Sequence, residues 1–177
     1  MLNKTTRLLG LVALGVLTGC GGGGGGGTVV PADPAATVMA KLQADTSTVL
    51  ALDRSTSVAG TDANPADGVR DDVATWIAAQ GYTSDVSKAA TQLAKAYQAV
   101  LTVSSTDDTA VRAARLASSD AVECVMQKSA SIDAGYKAVA DLRRVTVNTD
   151  ARVTAYLKYV ELVNDTVARA PEGDGCV

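Results

Sequence analysis

A chain of 177 residues with a net charge of −3 has room for one ordinary domain and no surplus of Lys or Arg to meet nucleic-acid phosphates or an anionic membrane surface. Histidine is absent, which excludes Ser-His-Asp and Cys-His nucleophile chemistry, His-ligated metals and His-ligated haem. The apolar fraction is 47%, yet there is no Phe and a single Trp, so the apolar residues are largely Ala and Val; this suits helices that approach closely better than it suits a sheet.

In chain order, residues 1–20 read MLNKTTRLLGLVALGVLTGC. Lys4 and Arg7 make a positive start, and Leu8 to Leu17 is an uncharged apolar run. At roughly ten residues the run is half of the ~20 needed to cross a bilayer core. Small residues follow, and then Cys20. Leu17-Thr18-Gly19-Cys20 resembles the lipobox of bacterial lipoproteins. The resemblance covers residues 1–20 only. It implies a signal peptide over residues 1–19, cleavage before Cys20, and a diacylglycerol on the Cys20 thiol that anchors the chain to a membrane. Residue 21 is Gly and not an acid, which in that class points to the outer membrane, facing the periplasm, rather than the inner membrane.

Gly21 to Gly27 is a run of seven glycines. It matches a GxGxxG fingerprint only trivially, since no strand precedes it and no helix directly follows. Glycine loses the most backbone entropy on ordering, so residues 20–33 read as a flexible tether spanning on the order of 20 Å.

The body, residues 34–177, reads as an all-α, up-and-down bundle of five or six helices. Asp33-Pro34 opens the first helix, with Met39, Leu42, Thr46 and Val49 at helical spacing to near Asp53. Ser55 to Ala63 is a polar loop. Asn64-Pro65 opens a second helix, with Val69, Val73, Trp76 and Ile77 inward and Gly81 closing it. Thr83 or Ser84 caps a third, whose stripe Val86, Ala90, Leu93, Tyr97, Val100 steps by four and three. Ser105 with Asp108 forms a capping-box-like pair, and the fourth helix runs from about Asp107 to Lys128 with small inward residues (Val111, Ala114, Ala117, Ala121, Cys124, Val125). Ile132, Tyr136, Val139 and Leu142 form a fifth stripe; Gly135 is the nearby residue able to break it from the fourth. Asn148 or Thr149 caps the last helix, with Val153, Tyr156, Val160, Val163 and Val167 inward, widened by Tyr159 and Leu162.

With Cys20 assigned to lipid, Cys124 and Cys176 are an even pair in an exported chain, and a disulfide between them is expected. No CxxC spacing suggests a redox motif. Carboxylates stand three and four apart in Asp120 with Glu123 and in Glu161 with Asp165, but without His they read as solvated faces, as do the intrahelical pairs Asp85 with Lys88, Asp108 with Arg112 and Asp133 with Lys137. The stretch from Asp62 fails as an EF-hand loop, because its sixth position is Asp67 and its twelfth is Val73. Arg143, Arg144 and Arg152 cluster around a helix break and read as a solvated connection. Trp76, Tyr97, Tyr136 and Tyr156 are the candidate ligand or interface residues, as a phenol-lined pocket between helices or, more simply, as an aromatic core layer. The expected function is that of a lipid-anchored envelope protein, not an enzyme, with no cofactor or metal, whose helical body binds another envelope protein; a small-ligand module near the tyrosines is the alternative.

Overall fold

A computed structural model describes residues 52–164, Thr166, Val167 and 173–177, with Thr37, Ala40 and Lys41. These fall in one unit, 32–177. Residues 1–19, expected as a signal peptide, Cys20 and the expected tether to residue 33, and most of the helix expected from Pro34 lie outside the described residues; Thr37, Ala40 and Lys41 are helical and exposed. Among the described residues there are five α-helices and no strand: α1 (Asp71–Ala79), α2 (Ser84–Thr102), α3 (Asp108–Lys128), α4 (Ile132–Thr146) and α5 (Asp150–Val163), together making a helical bundle.

Local chemistry accounts for most helix starts. The Thr83 side chain accepts from the Val86 N–H, Asp107 from Ala110, Ser131 from Ala134, and Thr149 from Arg152. Each satisfies one donor that the first turn leaves without a partner. The Asp107 cap replaces the expected Ser105–Asp108 pair, because Asp107 is the residue that stands at the last non-helical position. Ser129 to Ser131 separates α3 from α4, so the two are distinct helices. The helix expected from Asn64 begins later. Pro65–Asp67 is one 3-10 turn, Gly68 then turns left-handed at φ 74°, and the α-helix starts at Asp71.

The α2 helix is the centre of the bundle and touches all four others. Nine of its residues are buried, among them Ala89, Ala90, Leu93, Ala94 and Val100. Its alanines let α3 approach with Ala121 and Val125, so a chain poor in aromatics still packs without large side chains.

Two stripes differ from expectation. In α4 the buried residues are Gly135, Ala138, Asp141, Leu142, Val145 and Thr146, while Ile132 and Tyr136 are 69% and 65% exposed. A Cβ on Gly135 would lie 2.8 Å from Met126 Sδ and 3.2 Å from Met126 Cα. Gly135 therefore does not break a helix: its missing side chain is where α4 meets α3, and that contact turns Ile132 and Tyr136 outward. In α5 the inward residues are Arg152, Val153 and Tyr159; Val160 and Leu162 are partly exposed, and Val167, beyond the helix end, is almost fully exposed. The inward Arg152 sets this rotation. Ala117 on α3 is likewise exposed.

Candidate functional site

The four aromatic candidates do not converge. Tyr97, on α2, is buried in the main core. Burial pushes its hydroxyl up to about 12, with Tyr156 adding to the rise and Arg143 opposing it. Tyr156, on α5, is half-buried and joins two smaller apolar clusters, one with Leu101 and Val153, the other with Val100, Val111 and Tyr159. Tyr159, which was expected only to widen a face, is buried beside it; burial raises its hydroxyl pKa, while a hydrogen bond with Ser118 and the Arg115 charge oppose that. Trp76 lies half-buried against the main core. Tyr136 points to solvent, against the expectation of an inner face, with Ile132 one turn away on the same side of α4. Tyr97 and Tyr159 are thus buried in separate apolar clusters, with the half-buried Tyr156 near enough to act on both hydroxyls. A cleft of about 380 Å³ between α3 and the end of α5 is lined by Val111, Arg112, Arg115, Leu162 and Val167, and by none of the four candidates.

The Cys124 and Cys176 sulfurs are bonded, as the cysteine count suggests. The bond ties the last residues of the chain to α3. Around it, Gln92 Nε2 donates to the Gly175 carbonyl at 2.7 Å, the Val177 N–H donates to Gln92 Oε1 at 3.1 Å, and Lys128 pairs with Asp174 at 2.6 Å.

A polar cluster went unread in the sequence. Arg70 and Arg152 are both fully buried, at 1% and 0% exposure. The solvated connection expected around Arg143, Arg144 and Arg152 is therefore corrected: Arg143 is exposed, Arg144 pairs with Asp141, and Arg152 turns into the protein. Lys137 also pairs with Asp141 rather than with Asp133. The Arg152 guanidinium donates to the carbonyls of Asp53 (2.8 Å), Ser57 (3.0 Å) and Val58 (3.3 Å) and to Asn148 Oδ1 (2.7 Å). It lies 3.4 Å from the Asp53 carboxylate. Arg70 grips both Asp72 oxygens at 2.8 Å and donates to the carbonyls of Val145 (3.2 Å) and Thr146 (2.9 Å). Those are the orphan acceptors at the end of α4. Asp72 in turn accepts from the Asp53 N–H at 2.8 Å.

Burial alone would push the Asp53 carboxyl up. The Ser55 and Thr61 N–H groups, at 2.7 and 2.6 Å, and the Arg152 charge outweigh it and hold the group well below the usual carboxylate range. Burial and the nearby Arg70 charge lower the Arg152 pKa, and Asp53 and Asp72 counter them. Every nitrogen of the two guanidiniums has a protein partner, so the cluster fastens the 52–61 segment to the α4–α5 junction.

Among the described residues no three His, Cys, Asp or Glu side chains are grouped to hold a metal ion, and no helix is long and apolar enough to cross a membrane. No family model, curated protein or solved structure matches the chain.

Proposed function

We propose that the chain is a lipid-anchored protein of a bacterial cell envelope, held by an acylated Cys20, whose helical body docks another envelope protein. The observation that carries this reading is the division of the cysteines. The sequence has three; Cys124 and Cys176 are bonded to each other, which leaves Cys20 as the one thiol, and it stands in lipobox register after a short apolar run. A bonded pair also suits an oxidising compartment outside the cytoplasm. Two or three acyl chains, at ~0.8 kcal/mol per buried methylene, hold a protein on a bilayer essentially permanently. Gly21 favours the outer membrane. The exposed Ile132 and Tyr136 are the large apolar side chains that α4 offers to a partner.

The anchor is tested by mass spectrometry of the mature amino terminus after expression in a bacterium. The expected product begins at an acylated Cys20, and Cys20→Ser yields uncut precursor with no fatty acid. Identical processing of both forms, with no lipid on either, overturns the anchor. For the body, a photo-crosslinker placed at Tyr136 in the native envelope is expected to yield one discrete adduct, lost when Ile132→Ser is added. A crosslinker at the exposed Lys158 is the control; equal capture from both positions, or none from 136, overturns the docking role.

A further inference from the structure

We propose that the Cys124–Cys176 bond is a releasable latch: a dithiol reductant opens it through Cys176 and frees residues 173–177 from α2 and α3, while the helices stay folded. The two sulfurs have unlike surroundings. Cys124 is 2% exposed and belongs to the main core with Ala121 and Val125, whereas Cys176 packs on that core from its rim and is only partly buried. A cleft of about 190 Å³, lined by Asp85, Lys88, Gln92, Lys128 and the two cysteines, opens beside the bond. Approach is therefore to Cys176.

Hydrogen bonds and ion pairs that hold the segment to the helices are few among the described residues. Gln92 makes two hydrogen bonds with it, and the Lys128–Asp174 pair is exposed. An exposed pair of this kind contributes little. Gly175, at φ 71°, lies so close to α3 that a Cβ there would stand 2.2 Å from the Asp120 carbonyl oxygen. The segment thus sits in a fitted seat, but α2 packs on α3, α4 and α5 without it.

The exchange balances as follows. A thiolate of the dithiol attacks Cys176 Sγ, the S–S bond breaks, and its electron pair goes to Cys124 Sγ, which takes up a proton. The second thiol of the reductant then attacks the mixed disulfide, leaving Cys176 reduced and protonated and the reductant as a disulfide. The proposal stands on the bond and its surroundings and is independent of the lipid anchor.

The full oxidised chain is treated with dithiothreitol in native buffer. Thiols are mapped by alkylation and mass spectrometry, the segment by amide hydrogen exchange, and the helices by circular dichroism. Expected are two free thiols, lost protection confined to residues near 173–177, and unchanged helicity; re-exposure to excess oxidised glutathione puts the first adduct on Cys176. Reduction that requires denaturant, that unfolds the helices together with the segment, or that yields the first adduct on Cys124 overturns the latch.

Discussion

At the scale of single residues, Arg152 uses main-chain oxygens as its principal acceptors, Arg70 divides its bonds between the Asp72 carboxylate and two carbonyls, and Gly60 makes room for both. Gly60 has φ 77°, and a Cβ on it would lie 2.3 Å from Arg70 Cδ, 2.8 Å from an Arg152 nitrogen and 2.9 Å from Asp53 Oδ2. A left-handed non-glycine costs about 1–2 kcal/mol by itself, and displacing a buried charge from its partners adds more. Gly60→Ala is expected to cost about 2–4 kcal/mol, read as a lower urea midpoint with the same native helicity. A change of less than about 0.5 kcal/mol would mean that the clasp bears no weight. Little of this was legible in the sequence. An Arg beside a helix break normally snorkels to water, and the three carbonyls that accept from Arg152 lie 94 to 99 positions away, with no side-chain identity to announce them. The lone Gly60 after a polar run was the one local sign.

At the scale of elements, what was readable is what neighbours in sequence decide. The α2 stripe Val86, Ala90, Leu93, Tyr97, Val100 is buried throughout, and the caps fall within the expected pairs, on Thr83 rather than Ser84 and on Thr149 rather than Asn148, since such bonds reach only three residues ahead. The rotation of α4 was not readable. Ile132 and Tyr136 have helical spacing and apolar character, yet a glycine-to-Met126 contact across helices decides which side faces in. In an open helix, Gly→Ala gains about 0.5–1 kcal/mol. Here the new methyl meets the Met126 backbone, and overpacking of that kind costs about 1–3 kcal/mol. Gly135→Ala is therefore expected to lower stability by about 1 kcal/mol in urea titration; a gain would show that α3 and α4 do not meet at this point.

At the scale of the whole molecule, the buried Tyr97 makes the bundle sensitive to alkali. The folded Tyr97 hydroxyl is raised to about 12 from an ordinary 10.0. The stabilisation is complete below pH 10 and is lost as pH climbs through 12, because the unfolded chain releases the proton first. About 2–3 kcal/mol is expected to disappear over that interval, with phenolate absorbance rising together with loss of helicity, and Tyr97→Leu should flatten the profile. Independent, early ionisation of all the tyrosines would contradict a buried Tyr97. The all-helical class followed from composition and periodicity, and the cysteine pairing from counting; the place of each tyrosine was not legible, since period alone does not separate Tyr97, which is inside, from Tyr136, which is not. The grip on carbonyls carries a last consequence. Every amino acid supplies the same oxygen, so Arg152 recognises the course of the chain through Ser57 and Val58 and makes no contact of its own with what those residues carry. The outer loop can then change in spelling and keep the grip, provided that the aspartate at 53 and the glycine at 60 stay, a hydroxyl at 57 still takes the Gly60 N–H, and residue 58 remains apolar against Leu101, Val147 and Val153.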